Sequence, residues 1–570
     1  MNPANGSRLA TLLFLGLGVW LAARETAPPS LPLLPALPES PGDSGVFSVA
    51  RAMADVRELA VRPHPLGSAE HERVLEWLLG RVRELGLEPE VQSASVQTRS
   101  GRFAAVQNVV ARIPGRQPEG RAVLLCAHYD SVATSPGAAD DAAGVAALLE
   151  VLRVLGSAKA HRNDIILLIT DGEEAGLLGA RAFVEHHPLA PKVGVVLNLE
   201  ARGHRGPSIL FETSDGNANL IPLLARLEDP VTSSLTDEVY RRLPNDTDLT
   251  IFMRAGMAGL NFAFIGGRSH YHTLLDTPEN LDPRSLNHQG QSVLALTRVL
   301  ADRDLEALDT SRNRIYFSVL RSAVVHYPAA LAWPLTGLAV LFLLLVLRCG
   351  FRRRRISTRA LWVGVLVQVA STLLAAGLAW GLTALLSRQA RETALVRAIE
   401  SSGADPIMGG LLCLSLAATL IVLARLRIRS NREGLWGGAL LIWAACDLLL
   451  TVWLPDGSYL LTWPLLFASL GLLILLCRPH RRRPGPGLQV ACAAAVLPGL
   501  VLMVPLIWLL FQAVGLRLAP FVICLLGLLL GLLTPQLILL VPGGRRAIPV
   551  LALLAGSALI GSSILTTDID

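Results

Sequence analysis

Apolar and polar residues follow two different rhythms along this chain. From about Val46 to Ala307, helical patterns such as Phe47 to Leu59 and Glu70 to Leu85 alternate with short apolar runs. The runs Ala105 to Ile113, Ala122 to Ala127, Asp164 to Thr170, Val193 to Leu199 and Gly259 to Ile265 predict strands. Strands separated by helix-length segments predict an α/β domain, a mostly parallel sheet with helices on both faces. Its length of about 260 residues is ample for such a core. From Pro328 onward the rhythm becomes eight apolar spans, roughly 328–348, 360–386, 406–424, 434–454, 459–477, 487–512, 518–541 and 547–565. Each is near the ~20 residues needed to cross the hydrocarbon core. They predict a polytopic α-helical transmembrane domain. A shorter apolar stretch, Leu9 to Ala23, lies between Arg8 and Arg24 and precedes the Pro-rich run Pro28 to Pro41. It reads as an uncleaved membrane anchor followed by a stiff linker. The resulting organisation is anchor and linker over 1–45, α/β domain over 46–307, connector over 308–327 and membrane domain over 328–570.

Composition agrees with a membrane protein. Of 570 residues, 52% are hydrophobic and 17% charged, where a soluble domain carries about 25% charge. That excludes a disordered chain, a disulfide-stapled secreted module and an ordinary cytosolic enzyme. The net charge of +6 conceals an asymmetry: Pro328 onward holds 20 Arg and 8 acids, while the preceding part holds 31 basic and 37 acidic residues. The positive charge therefore belongs to membrane loops and not to a nucleic-acid surface. Sixteen of those 20 Arg fall after alternate spans, at Arg348, Arg352 to Arg355, Arg359, Arg425, Arg427, Arg429, Arg432, Arg478, Arg481 to Arg483, Arg545 and Arg546. The positive-inside rule makes those loops cytoplasmic and puts the α/β domain on the other side. That side is the periplasm if the source is bacterial, as the Arg-, Ala- and Leu-rich composition suggests, or the lumen of an organelle if it is eukaryotic. Six of the seven cysteines lie in or beside apolar spans, leaving Cys126 as a small core residue in the α/β domain.

Five short motifs stand at or just after the ends of the strand candidates, where open α/β sheets hold ligands. They are His128-Tyr129-Asp130, Gly137-Ala138-Ala139-Asp140-Asp141-Ala142-Ala143-Gly144, Asp171-Gly172-Glu173-Glu174-Ala175-Gly176, Asn198-Leu199-Glu200 and Ser269-His270-Tyr271-His272-Thr273. A pair of imidazoles with three carboxylates suits two zinc ions, with one carboxylate shared. Asp130, two residues after His128, suits a hydrogen bond that fixes the imidazole tautomer. Glu173 and Glu174 can divide the work, one on metal and the other free as a base. Each motif alone is weak, since adjacent glutamates usually form a solvated surface pair. All five at one sheet edge are not.

Together the motifs resemble the M28 family of zinc metallopeptidases, the aminopeptidase Y group, from about Val46 to Leu305. Pro63-His64-Pro65-Leu66-Gly67-Ser68 is similar to a segment of that family. With the membrane half, and with Asn245-Asp246-Thr247-Asp248 and Gly259 to Phe264, the chain resembles its multispanning branch, typified by the fungal vacuolar membrane protease and the animal endoplasmic reticulum metallopeptidase. The resemblance implies a zinc aminopeptidase-like fold and a peptide or protein substrate. It implies two Zn2+ per chain, one held by His128 and Glu200 and the other by Glu174 and His272, with Asp140 bridging. It implies Glu173 as general base and Tyr271 as donor to the oxyanion. Glu200 stands where soluble members commonly have Asp, and Asp141 where Asn is commoner. The rival readings are a single-zinc enzyme resembling glutaminyl cyclase, an inactive receptor-like domain, and a transporter or scaffold with an accessory peptidase-like domain.

The remaining polar residues invite plainer readings. Asp447 lies inside a span, where an acid is a functional candidate by default. Gln368, Gln512 and Gln536 suit hydrogen bonds between helices. His270 reads as a loop residue, and His186, His187 and His204 as surface groups.

Overall fold

The computed structural model describes residues 13–14, 16–18, 20–21, 24–25, 27, 45–98, 100–117, 119–156, 161–308, 311–388, 405–425, 431–478, 486–540 and 547–565. The Pro-rich linker and most of the N-terminal anchor lie outside the described residues, as do the loops holding Arg391, Arg397, Arg427, Arg429, Arg481 to Arg483, Arg545 and Arg546. The chain forms two compact units, one over Ala27–Ala329 and one over Met1–Thr26 with Ala330–Asp570.

The first unit begins with α1 (Val49–Leu59) and α2 (Ala69–Glu84), started by Ser48 and Ser68, whose side chains accept from Arg51 N and His71 N. Then follow β1 (Glu90–Gln97), β2 (Phe103–Ile113), β3 (Ala122–His128), α3 (Ala143–Gly156), β4 (Ile165–Thr170), α4 (Leu178–His186), β5 (Val193–Ala201) and β6 (Ile209–Thr213). The unit continues through α5 (Ser234–Tyr240), α6 (Asp248–Arg254), β7 (Ala258–Phe264) and α7 (Pro283–Ala301). Strands β1 to β7 form one sheet in the order β1-β2-β4-β3-β5-β7-β6. The neighbours β4-β3-β5-β7 are parallel, and β1, β2 and β6 pair antiparallel at the flanks. The parallel centre matches the sequence expectation, and the antiparallel flanks make the sheet mixed. Both faces are covered. Val123, Leu125 and Ala127 of β3 join one core with α1, α3 and α7, and Ala122, Leu124 and Cys126 join another with α4 and α6. That alternation explains why β3 and β4 read as unbroken apolar runs.

Residues 308–327 were expected to be a connector. They contribute most of a hairpin, β8 (Arg314–Val319) with β9 (Ala323–Pro328), within the first unit. Ile315, Tyr316 and Phe317 are buried in it, and Tyr316 joins the core shared with α1, α3 and α7.

The second unit is helical: α8 (Ala332–Arg352), α9 (Thr358–Arg388), α10 (Asp405–Arg425), α11 (Arg432–Trp453), α12 (Tyr459–Cys477), α13 (Pro486–Val514), α14 (Ala519–Leu532), α15 (Thr534–Leu540) and α16 (Ala547–Leu565). Among the described residues, six helices are long and apolar enough to cross a membrane, from α8 to α13. The seventh expected span is the pair α14 and α15, bent by 79°. Pro535 explains the break, because it removes a backbone donor and disfavours helix in the residue before it. The eighth expected span is α16, with a shorter apolar stretch over Ile548–Ile560. Carbonyls on α14 near the bend also receive side-chain donors. Trp436 Nε1 donates to Leu532 O at 3.1 Å and Trp443 Nε1 to Leu528 O at 2.8 Å. Gln368 Nε2 donates to Gly527 O at 2.9 Å and Thr534 Oγ1 to Gly531 O at 2.6 Å. Such compensation is what a broken helix needs where water is scarce.

Leu125, at the centre of β3 and fully buried, gives a test of the packing. Leu125→Ala is expected to cost about 2–5 kcal/mol, read as a lower unfolding midpoint of the first unit. Leu243→Ala, at a site 46% exposed, is expected to stay within about 0.5 kcal/mol.

Candidate active site

The parallel register sets His128 beside Thr170 and Glu200 beside Ala263. The segments following β3, β4 and β7, together with Glu200 near the end of β5, therefore meet at one edge of the sheet. Each approach is shaped by local backbone. After β3 the chain reaches Gly137, left-handed at φ 72, where a Cβ would stand 2.7 Å from the Asp140 carbonyl oxygen. A tight kinked turn, Ala138–Ala142, with Asp140 and Asp141 outside helical dihedrals, then presents both carboxylates and runs on into α3; the Asp140–Asp141 peptide is cis. Asp276 pins this turn, its carboxylate accepting from the backbone N–H of Ala139 at 2.8 Å and of Asp140 at 3.3 Å. Asp141 ties the turn to the strand end, accepting from Gly144 N at 3.2 Å and His128 N at 3.4 Å. After β7, His272 is held in the left-handed region at φ 59, a cost often found at functional sites.

The side chains converge on Asp140. Its Oδ1 is 3.3 Å from His128 Nε2 and its Oδ2 is 3.0 Å from His272 Nε2. Glu174 Oε1 lies 2.9 Å from the same His272 nitrogen. His128, Asp140 and Glu174 each offer one ligand atom within 4.8 Å of the others. Glu200 is held by Asn198, whose Nδ2 donates to Oε1 at 3.2 Å. Asn198 leans on Asn261, which in turn donates to Glu212 and Thr247. Asp130 does more than back the imidazole. Its main-chain oxygen accepts from His128 Nδ1 at 2.9 Å, with its carboxylate 3.5 Å away. That carboxylate accepts from Glu173 N at 3.0 Å and Glu174 N at 3.2 Å, so it sets the direction of both glutamates. The Tyr271 ring stacks on His272 with centroids 3.8 Å apart.

Electrostatics follow from the crowding. Burial, with Glu200 next, pushes the Glu173 carboxyl well above the usual carboxylate range, and burial does the same to Glu200. Burial also opposes charge on Asp140, but hydrogen bonds from His128 and His272 prevail and bring it to about 2. Burial disfavours the His272 imidazolium, yet Asp140 and Glu174 draw its pKa up to about 10. A divalent cation competes for these same lone pairs, so its binding releases protons. The residues fit one: Glu174 Oε1 is buried without a hydrogen bond of good geometry, and the donor set of imidazoles and carboxylates suits zinc.

Several contributors had no assigned role in the sequence. Asp276 lies three residues beyond the Tyr271-His272-Thr273 motif. His71 sits on the apolar stripe of α2 with Val74, Leu75 and Leu78, which was a signal in itself. Its Nε2 meets Asp171 Oδ1 at 2.7 Å and its ring stacks on Tyr129. Asp248 is buried against Thr170 Oγ1 at 2.5 Å. A cavity of about 450 Å3, lined by Glu212, Tyr240, Asp246, Met253 and Leu308 among others, reaches Met257 and Ala258 at the starting end of β7 and is lined by none of the clustered imidazoles and carboxylates. Burial raises the Tyr240 phenol, and the charges of Glu212, Glu200 and Glu173 add to it. Two histidines correct the sequence reading. His187 is buried, stacked on Phe183 and accepting from Leu189 N, because it caps α4 where the helix packs inward. His204 is half-buried, stacked on His270 at 3.8 Å.

A buried imidazole–carboxylate cluster thus stands at the strand ends of a mixed α/β sheet, in a chain whose described residues include six helices long and apolar enough to cross a membrane. Residues 108–297 match the model of peptidase family M28, and the chain carries an M28 peptidase domain. It is similar to the human endoplasmic reticulum metallopeptidase 1, 31% identical over 363 residues that cover 58% of this chain and 40% of that protein. It is also similar to the vacuolar membrane protease of Lachancea thermotolerans, 32% identical over 290 residues that cover 47% of this chain and 30% of that one. The chain thus spans well under half the length of these relatives. A solved zinc aminopeptidase from Bacillus subtilis is 17% identical, with a TM-score of 0.38 over 47% of this chain and 98% of its own.

Asp276→Ala would leave two buried backbone donors unpaired beside Asp140. It is expected to lower metal affinity roughly 10–100-fold while the protein stays folded, measured by competition with a chelator.

Proposed function

We propose that the chain is a membrane-anchored di-zinc aminopeptidase releasing N-terminal residues from peptides. One observation carries the reading: the two oxygens of Asp140 face two different histidines, as a carboxylate shared between two metal positions would. His128 and Glu200 would hold one zinc, Glu174 and His272 the other, with Asp140 between them. When bound, zinc polarises the scissile carbonyl and acidifies water at neutral pH. Glu173, aimed by Asp130, takes a proton from the attacking water and returns it to the leaving amine. Tyr271, braced on His272, donates its phenolic proton to the developing oxyanion. The surplus of carboxylates attracts a free α-amino group, which selects chain ends.

The test uses the detergent-purified full chain with aminoacyl-arylamides and short peptides. Glu173→Gln is expected to lower kcat by about 10^2–10^4-fold and Tyr271→Phe by about 10^2–10^3-fold. Activity should vanish with chelator, and elemental analysis should count two zinc per chain. One zinc with cyclisation of N-terminal glutamine would favour the cyclase-like reading. Bound zinc without any hydrolysis, alongside solute uptake that survives Glu173→Gln, would favour the transporter reading.

The arginine-rich loops support an extracytoplasmic peptidase domain. In a bacterial host, a phosphatase that works only outside the cytoplasm is expected to be active when fused after Ala329 and inactive when fused after Arg354.

A further inference from the structure

Asp447 is fully buried on α11 in the membrane unit. Around it four oxygen–oxygen contacts form a ring across α8, α11 and α12. Thr462 Oγ1 is 2.8 Å from Asp447 Oδ1, and Thr336 Oγ1 is 3.0 Å from Thr462 Oγ1. Thr336 Oγ1 is also 2.9 Å from Thr451 Oγ1, which is 2.8 Å from the Asp447 main-chain oxygen. Each contact at such a distance needs one proton between its oxygens. Three hydroxyls supply three protons for four contacts, so an ionised Asp447 leaves one contact without a proton however the others are turned.

We propose that Asp447 is a proton-binding site of the membrane unit, held as the neutral carboxylic acid by Thr336, Thr451 and Thr462. Asp447 donates to Thr462, Thr462 to Thr336, Thr336 to Thr451, and Thr451 to the Asp447 carbonyl. Every contact then carries one proton. The other carboxyl oxygen, Oδ2, has no donor among the described residues, which a carbonyl oxygen tolerates far better than an anionic one. No arginine, lysine or histidine is a described partner of Asp447. The titratable groups near this end of the packed helices are Cys446 on α11, Asp456 in the turn after it and Tyr459 at the head of α12. Glu433 and the arginines of α8 and α11 stand toward the opposite helix ends, as does Arg359 on α9. Losing the proton breaks the ring that joins three helices, so the packing of this end of the unit is tied to proton occupancy.

The experiment compares full-length variants in detergent. Asp447→Asn keeps a donor and a carbonyl, and is expected to retain the thermal midpoint of the wild type. Asp447→Ala and Thr336→Val are expected to lower that midpoint by several degrees, and Thr336→Ser to restore what Thr336→Val loses. Difference infrared spectroscopy is expected to show a neutral-carboxyl C=O band at pH 7 that Asp447→Asn removes. The proposal is overturned if no such band exists, or if Asp447→Asn is as damaging as Asp447→Ala. It is equally overturned if sodium or potassium ions stabilise the wild type but not Asp447→Asn, because the site would then hold a metal cation.

Discussion

Everything at the strand edge depends on where the Asp140 carboxylate is fixed. Its two oxygens are each claimed by a different imidazole, and the turn that carries it is clamped by Asp276 from one side and by Asp141 from the other. Around it lie Asp141, Glu173, Glu174 and Glu200, all at least largely buried. Like charges a few ångströms apart repel strongly where water is excluded. Two imidazolium groups cannot balance five carboxylates. A site of this kind is stable when it holds added positive charge, as metal or as protons, so its occupancy and the stability of the domain are linked. The raised carboxyls of Glu173 and Glu200 express the same imbalance.

The sequence made the centre of this domain legible because burial on both faces leaves no alternative pattern. Runs such as Val123 to Ala127 are read as strands whichever neighbour they pair with, and the polar residue that ends each run is therefore conspicuous. The flanks were less legible for the same physical reason. Strand β1 alternates small and polar residues over Glu90–Gln97, with mostly exposed positions, so nothing in its pattern separates it from a loop. Strand β6 is five residues long and begins soon after a turn. Antiparallel pairing at an edge needs little apolar signal, and the mixed character of the sheet stayed hidden. Roles that depend on main-chain geometry were also invisible. Asp130 reaches the backbone of Glu173 and Glu174 across a gap in sequence of more than forty residues, which no local spacing encodes.

The membrane unit shows the same division between pattern and geometry. Hydropathy located its apolar stretches, but not that the seventh bends at Pro535. The residues that make the bend tolerable are Trp436 and Trp443, seven apart and so on one face of α11, with Gln368 reaching across from α9. Trp436 pairs the Leu532 carbonyl at the break itself, and the others brace the helix leading to it, where lipid offers no partner. A hydropathy profile reads the same tryptophans only as apolar bulk.

Helix α11 carries two buried acids, and they are neutralised in opposite ways. Glu433, at the arginine-rich end, is met by Arg355 at 2.6 Å and Arg478 at 3.1 Å, a charge-assisted cluster on the side where headgroups and water also help. Asp447 is four helical turns further on and meets only hydroxyls. Moving a carboxylate into low dielectric without a counter-charge costs several kcal/mol even after relaxation. A single hydroxyl hydrogen bond returns about 1 kcal/mol net, and one to a charged group about 1.5–3 kcal/mol. One threonine cannot close that gap, whereas a proton on the carboxyl removes it altogether. The difference between the two acids is thus set by what surrounds them, a cationic cluster at one and a ring of hydroxyls short by one proton at the other.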